Sequence, residues 1–218
     1  MMSEKLLCPS LMCVDFSHLA DEIKMLDEAG ADIFHCDIMD GNFVDNFTLG
    51  TRDIKAAKDN TDKLIDCHLM IENPRNKVDW FIDAGADIIY IHPETEKQTT
   101  RTLMHIRERG RYAGIAISPD ISVASIKELL NVCDYVLVMT VNPGFAGQKF
   151  VPFTREKVKE LGQLKEKYGY KLMIDGACSP EIIAELSQMG ADGFVLGTSA
   201  LFGKGKPYKE LMDGLREL

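Results

Sequence analysis

Four side chains that can bind a metal or move a proton stand at the ends of apolar, strand-like runs. They are His35 and Asp37 in "DIFHCDIMDG" (32–41), His68 in "DCHLM" (66–70) and Asp175 in "IDG" (174–176). Successive side chains of a strand point to opposite faces, so His35 and Asp37 share one face. Burying such groups destabilises a fold unless they are paired or bind a metal. Two imidazoles and two carboxylates suit Zn²⁺, Mn²⁺ or Fe²⁺.

The two aspartates suggest a reaction. If the strands close into a ring, Asp37 and Asp175 approach a central ligand from opposite faces. A carbon acid beside a carbonyl is too weak to lose its proton to an ordinary carboxylate, and a divalent cation helps by stabilising the enolate oxygen. We therefore predict inversion of a stereocentre beside a ketone by two-base proton transfer. The alternative is four ordinary buried strand residues, but their shared strand-end placement favours a site.

Methionine usage fits a water-excluding mouth around this chemistry. Met39, Met70 and Met139 lie on the same strands as the polar residues or on neighbouring ones. Thioethers pack well against a flat intermediate, although flexible core filler is the simpler explanation for any one methionine. His92 also ends a strand and is a weaker candidate for substrate contact. His18 and His105 lie in helical segments with solvated faces.

Three loops rich in small residues follow neighbouring strands. They read "NPGFAGQ" (142–148), "DGAC" (175–178) and "GTSALF" (197–202). Barrels commonly bind phosphate at this place through backbone amides and a short helix N-terminus, so no lysine is required. Simple turn glycines are the alternative. Three such loops on adjacent strands favour a phosphate site.

The elements that position these residues follow from a recurring junction. It appears as "EAGADIF" (28–34), "DAGADII" (83–89) and "QMGADGF" (188–194), where a helical pattern ends at a glycine and an apolar strand begins. We expect strands near 6–12, 32–39, 63–71, 87–93, 112–118, 135–141, 171–175 and 193–198, with helices between them. Eight such units predict an α/β fold, a (β/α)8 TIM barrel spanning 1–218 as one domain. A doubly wound open sheet is the alternative.

Composition excludes several classes of function. The chain has 218 residues, 45% of them hydrophobic, and a net charge of -9, with no Lys/Arg-rich run, which argues against nucleic acid as a partner. No apolar run approaches the roughly 18 residues of a membrane span, and no signal-peptide pattern begins the sequence. We expect a cytoplasmic location and no membrane partner. The six scattered cysteines are expected to be free thiols.

The motifs resemble the ribulose-phosphate 3-epimerase family. The segments that carry the resemblance are "SLM" (10–12), "HCDIMDG" (35–41), "DCHLM" (66–70), "VMTVNPGFAGQ" (138–148) and "IDG" (174–176). The resemblance implies a ribulose-phosphate-binding barrel that holds one divalent ion per chain, Zn²⁺, Mn²⁺, Fe²⁺ or Co²⁺, on His35, Asp37, His68 and Asp175. It also implies that Asp37 and Asp175 are the acid/base pair and that Ser10 and His68 touch substrate. The phosphate would be held by Gly144, Phe145, Ala146, Gly147, Gly176, Ala177, Gly197, Thr198 and Ser199.

The phosphate loops are more similar to one branch of that family. Ala146 replaces a glycine, and "DGAC" and "GTSALF" differ from the usual "DGGV" and "GSA". These features resemble the D-allulose 6-phosphate 3-epimerase branch, whose product is D-fructose 6-phosphate. The alternative substrate pair is D-ribulose 5-phosphate and D-xylulose 5-phosphate. Asp45 stands where both branches usually have proline. The partner would be a small phosphorylated ketose, and we expect a homo-oligomer, a dimer or higher.

Two rival functions remain at this point. A decarboxylase of the related phosphate-binding barrels uses Asp-x-Lys-x-x-Asp, but Met39 occupies the place of that lysine, so the proton donor is missing. The other rival is a non-catalytic barrel that only binds metal or phosphosugar. A proton-exchange assay separates it from an enzyme, because a binding protein would not wash tritium from C3 of a ketose phosphate.

Overall fold

Strands and helices alternate along the chain. A computed structural model describes residues 5–218. The strands are β1 Leu6–Pro9, β2 Ile33–Met39, β3 Leu64–Met70, β4 Ile88–Ile91, β5 Tyr112–Ile117, β6 Tyr135–Met139, β7 Lys171–Asp175 and β8 Gly193–Leu196. The α-helices are α1 Leu19–Glu28, α2 Thr51–Lys58, α3 Val78–Ala84, α4 Thr99–Glu108, α5 Val123–Ile126, α6 Thr154–Tyr168, α7 Pro180–Gln188 and α8 Tyr208–Arg216. Short 3-10 helices lie at Leu11–Cys13, Phe16–His18, Pro74–Asn76, Pro93–Thr95 and Leu129–Asn131.

The eight strands form one parallel sheet in the order β1-β8-β7-β6-β5-β4-β3-β2. The ring is brought to closure between β1 and β2, where Asp32 N donates to Leu7 O at 3.0 Å and Ser10 forms a parallel bridge with His35. The predicted (β/α)8 barrel is confirmed, and the doubly wound open sheet is wrong. In residues 5–218 no helix is long and apolar enough to cross a membrane.

The pleat of β2 sorts its side chains as the sequence predicts. Phe34, Cys36 and Ile38 pack in the large apolar layer between the strands and the helices. Ile33 lies in a smaller cluster inside the barrel, and Met39 lies near its mouth with Val44. Because alternate residues take opposite faces, His35 and Asp37 point into the barrel with Ile33 and Met39. The buried polar face therefore belongs to the barrel interior.

The Gly-Ala-Asp junctions have two structural tasks. Their glycines end a helix in the left-handed region, with φ values of 98° at Gly30, 113° at Gly85 and 102° at Gly190. Their aspartates accept the backbone N–H of a neighbouring strand: Asp32 from Leu7 at 2.8 Å, Asp87 from Ile65 at 3.0 Å and Asp192 from Leu172 at 2.8 Å. The repeat thus stops a helix and ties the base of the next strand to the strand beside it.

Candidate active site

The four predicted ligands converge at the mouth of the barrel. One ligand atom from each of His35, Asp37, His68 and Asp175 lies within 4.8 Å of the others. Asp37 Oδ1 is 3.2 Å from His35 Nε2 and 3.3 Å from His68 Nδ1. Asp175 Oδ2 is 3.8 Å and 3.5 Å from the same two nitrogens. Tetrahedral ligands about 2.1 Å from one ion are spaced about 3.4 Å apart, so this donor set fits a single transition metal.

Strand register brings these residues together. Asp37 on β2 pairs directly with His68 on β3, and two residues earlier His35 pairs with Asp66. Two residues on one face of β2 therefore meet two on the same face of β3. Asp175 is the last residue of β7 and completes the cluster from across the barrel. Parallel strands end at one side of the sheet, which explains how positions far apart in sequence share one site.

The two aspartates differ in their surroundings. Asp37 is buried, and its Oδ2 accepts a hydrogen bond from Ser10 Oγ at 2.8 Å. Burial alone raises the pKa of Asp37, but the charges and hydrogen bonds of His35 and His68 bring that pKa well below its usual value. The side chain of Asp175 is 14% exposed, and its Oδ1 has no hydrogen-bond partner within residues 5–218. Asp37 is thus a fixed carboxylate, and Asp175 presents an oxygen toward solvent.

Asp66 is a buried carboxylate beneath the cluster, and it is not among the predicted site residues. Its Oδ1 lies 2.7 Å from His35 Nδ1, on the opposite side of the ring from the ligand atom. Burial raises the pKa of Asp66. Burial lowers the pKa of His35, but Asp66 and Asp37 together raise it. The sequence does contain a clue, because Asp66 precedes His68 by two residues and must share its strand face.

One cavity opens above the cluster and is lined by most of the predicted substrate residues. They are Ser10, Asp37, Met39, Met70, Met139, Gly144, Phe145, Ala146, Gly147, Asp175, Gly176, Ala177, Gly197, Thr198 and Ser199. Met12, Cys13, Val141, Asn142, Gln148, Cys178 and Val195 also line it and were not predicted. His35 and His68 are fully buried beneath the cavity, so contact between His68 and substrate stays a prediction.

The three predicted phosphate loops border one side of this cavity. The backbone N–H groups of Ala146, Gly147, Ala177 and Ser199 find no acceptor within residues 5–218. Ala177 adopts a left-handed backbone with φ of 49°. After β8, a turn closed by Leu201 N donating to Gly197 O at 3.0 Å stands where a short helix was expected. Unpaired amides beside small residues make a concave donor surface that suits an anion.

The loop after β2 is well anchored without the usual proline. Asn46 Nδ2 donates to Gly144 O at 2.8 Å, which joins this loop to the first phosphate loop. Asn46 N donates to Val44 O at 2.8 Å and so closes a tight turn around Asp45. Asp45 itself is exposed. The loop therefore stays joined to the first phosphate loop with aspartate at position 45.

The histidines outside the cluster separate clearly. His92 follows the last residue of β4, is fully buried and does not line the cavity, so contact between His92 and substrate stays a weaker prediction, as it does for His68. Its Nε2 instead lies 2.8 Å from Nε2 of His68. His18 is exposed, and His105 on α4 pairs with Asp79 at the surface. All six cysteines are free thiols, as expected.

Comparison with known proteins places the chain. Residues 6–202 match the model of the ribulose-phosphate 3-epimerase family. A ribulose-phosphate 3-epimerase from Synechocystis sp. is 41% identical over 212 residues, which cover 95% of this chain and 91% of the relative. One from Bacillus subtilis (strain 168) is 38% identical over 208 residues, covering 94% and 95%. The chain belongs to the ribulose-phosphate 3-epimerase family. It is an epimerase, an isomerase that acts on a carbohydrate phosphate.

Solved structures agree on the fold. A 3-keto-L-gulonate-6-phosphate decarboxylase from Vibrio cholerae superposes with a TM-score of 0.74 at 13% identity, covering 99% of this chain and 97% of that one. A tryptophan synthase α-subunit from Pyrococcus furiosus gives a TM-score of 0.71 at 18% identity, covering 100% and 99%. Identities this low show the barrel alone. The narrower resemblance to the D-allulose 6-phosphate branch of the epimerase family is not confirmed by the relatives above.

Proposed function

We propose that this epimerase interconverts D-ribulose 5-phosphate and D-xylulose 5-phosphate by metal-assisted, two-base proton transfer at C3. The observation that carries the proposal is the convergence of Asp37 and Asp175 on His35 and His68 at the floor of one cavity. The three loops with unpaired amides border the same cavity, so a phosphate held there would place a short ketose over the aspartates. The relatives from Synechocystis sp. and Bacillus subtilis are ribulose-phosphate 3-epimerases, which supports this substrate pair.

The chain's own residues would divide the work as follows. One of the two carboxylates takes the C3 proton, and the electron pair left on carbon moves toward the C2 carbonyl to give a cis-enediolate. The other, already protonated, returns a proton to C3 from the opposite face, which inverts that centre. A divalent ion held by the four ligands would supply Lewis-acid stabilisation of negative charge on oxygen. Met39, Met70 and Met139 would exclude water from the intermediate.

The methionines are placed for that role. All three are nearly buried, with exposures of 4%, 1% and 3%, yet each contributes to the cavity wall. Ser10 would hold Asp37 through its hydrogen bond to Oδ2, whereas Asp175 Oδ1 is left to the cavity. The two bases thus have different hydrogen-bond partners, and we expect them to differ in the rate at which each transfers a proton at C3. Which base serves which epimer follows from substrate orientation.

D-allulose 6-phosphate is the second candidate substrate, with D-fructose 6-phosphate as its product. The observation that favours it is the pair of alanines, Ala146 and Ala177, in the phosphate loops, where the commoner pattern has glycine. Both line the cavity, and their methyl groups change its shape without removing a backbone donor. The relatives above carry the ribulose-phosphate name, and so they favour the shorter ketose.

The deciding experiment is the ratio of kcat/KM for the two ketose phosphates on protein of known metal content. We expect the ratio to favour D-ribulose 5-phosphate. A ratio above one for D-allulose 6-phosphate would reverse the order of the candidates. If neither substrate exchanges its C3 hydrogen with solvent, both candidate substrates are wrong and the proposal fails. Assembly into a homo-oligomer and a cytoplasmic location stay predictions.

A further inference from the structure

The buried histidine after β4 sits in a chain of polar contacts that leads away from the site. His92 Nε2 is 2.8 Å from His68 Nε2, and His92 Nδ1 is 3.1 Å from Glu94 Oε1. Ser118 Oγ donates to the same Glu94 oxygen at 2.6 Å and lies 3.4 Å from His92 Nδ1. The chain therefore runs from His68 through His92 to a carboxylate that reaches the surface.

Only one assignment of donors and acceptors along the His68–His92–Glu94 contacts is compatible with metal binding by His68. His68 Nδ1 faces Asp37 and Asp175, so it must offer a lone pair if it is to bind a metal. In a neutral imidazole the proton then sits on Nε2, which donates to His92 Nε2. That nitrogen accepts, so the proton of His92 is on Nδ1, where it is donated to Glu94. The reverse direction would protonate His68 Nδ1 and set a nitrogen lone pair of His92 against the carboxylate.

The surroundings hold this arrangement in place. The rings of His92 and His68 meet edge to edge, with planes 25° apart and centroids 5.0 Å apart, and Phe43 packs on His92 with ring centroids 4.8 Å apart. Lys157 donates to Ser118 O at 2.8 Å and to Pro119 O at 3.1 Å, which fixes the segment that carries Ser118. Each hydrogen-bond donor in this series of contacts, from His68 to Glu94, has one acceptor available. The geometry therefore resists reorientation of His68.

We propose that His92 and Glu94 are positioning residues that hold His68 in the tautomer and orientation that bind the metal. This rests on the metal site of the proposed function, and it adds two residues that neither touch substrate nor bind the ion. His35 also has a carboxylate beside its outer nitrogen, because Asp66 Oδ1 lies 2.7 Å from His35 Nδ1, but the angle of this contact is outside hydrogen-bond range. Both histidines of the cluster thus lead to a carboxylate, one directly and one through a second imidazole.

The test measures zinc affinity by chelator competition on three variants. His92→Phe keeps a ring but removes the acceptor, and the affinity is expected to fall about 10- to 100-fold. Glu94→Gln keeps an oxygen that accepts from His92 Nδ1, so its loss should be smaller. His105→Phe is the matched control, because this histidine pairs with Asp79 at the surface and should leave the affinity unchanged. Circular dichroism of the metal-free proteins checks folding.

A second measurement needs no variant. In the zinc-loaded wild-type protein, ¹⁵N NMR should find the His92 proton on Nδ1 and the His68 proton on Nε2. A His92 proton on Nε2, or wild-type zinc affinity in a folded His92→Phe protein, would overturn the inference. If that variant does not fold, Glu94→Gln and the wild-type spectrum decide. Wild-type protein that is active but binds no zinc or other divalent ion would instead overturn the metal site of the proposed function.

Discussion

The two halves of the barrel mouth use different parts of the chain. The half that we propose to hold the metal, called the metal half below, consists of His35, Asp37, His68 and Asp175, whose side-chain atoms converge within 4.8 Å. The half that we propose to bind phosphate, called the phosphate half below, consists of the loops 142–148, 176–178 and 197–199, in which small residues leave backbone N–H groups unpaired beside the cavity. In the metal half, the proposed function depends on which side chains are present. In the phosphate half, the proposed function depends on backbone conformation, because the donors are backbone N–H groups. A side chain there matters only through the conformation that it allows.

This difference also appears in how each half is supported. Behind the metal half lie two buried residues, Asp66 at 2.7 Å from His35 and His92 at 2.8 Å from His68. The phosphate half is held instead by a contact between loops, in which Asn46 Nδ2 on the loop after β2 donates to Gly144 O. Substitutions in the metal half should therefore remove chemistry. Substitutions in the phosphate half should be tolerated wherever the backbone can keep its shape.

The largest effect is expected from replacing either aspartate of the metal half by asparagine. Asp37→Asn and Asp175→Asn keep an oxygen and nearly the same volume but remove a base, so epimerisation should fall by about a thousandfold or more. Each variant retains one base and should exchange solvent deuterium into only one epimer, as NMR of each purified epimer in D₂O can show. Asp62→Asn, at an exposed surface position, is the control.

Metal content must accompany that experiment, because an amide binds a metal less strongly than a carboxylate does. Both variants should be compared with the wild-type protein at equal metal loading. If both variants exchange the same single epimer, the two bases do not act from opposite faces. Loss of exchange into both epimers at full metal loading would likewise contradict the division of labour between Asp37 and Asp175.

Removing the metal should abolish the chemistry of the metal half, and epimerase activity with it. We expect about one transition-metal ion per chain, and a chelator should lower epimerase activity by about a hundredfold or more, with recovery on adding a divalent ion. Elemental analysis and activity are measured on the same samples. Substrate phosphate should still bind to the metal-free protein, because its donors lie in the other half. Full activity in metal-free protein would contradict the prediction that these four residues bind a metal that the reaction needs.

Removing the phosphate from the substrate tests the other half. Binding energy from a group remote from the reacting carbon helps to hold that carbon in position, so its loss lowers kcat as well as raising KM. The unphosphorylated ketose should show kcat/KM lower by about a hundredfold or more. Inorganic phosphate should inhibit competitively. An unphosphorylated ketose turned over as well as its ester would show that the loops do not serve this purpose.

Sequence pattern alone predicted most of the scaffold. The strand at 32–39 was expected from its apolar run, and the structure has β2 at Ile33–Met39 with its polar face turned inward. Because strand period is two and parallel strands end on one side, the convergence of His35, Asp37, His68 and Asp175 also followed from sequence. Short-range periodicity is enough where the chemistry is carried by side chains on strands.

The partners behind the site could not be predicted in the same way. His92 was expected at a strand end, but β4 stops at Ile91, and the residue turns under the site toward His68 instead of into the cavity. Asp66 was overlooked, although its spacing from His68 places it on the same face. Partners of this kind depend on inter-strand register and side-chain rotamers. Neither is encoded in a motif of one segment.

The smallest effect is expected in the phosphate half, from two neighbouring positions changed in opposite directions. Ala177 has φ of 49°, a region that costs an alanine about 1 kcal/mol and costs glycine little. Ala177→Gly removes a methyl group but no donor, so KM for the phosphorylated substrate should stay within about threefold.

Gly176→Ala is the contrast, because φ is 110° and an added Cβ would lie 2.6 Å from Val141 Cγ2. That variant should raise KM by about tenfold or more as the loop shifts, while equal metal content shows that the metal half is intact. Steady-state kinetics on both proteins makes the comparison, with thermal unfolding as the folding check. Equal tolerance of the two changes would mean that backbone conformation does not govern the phosphate half.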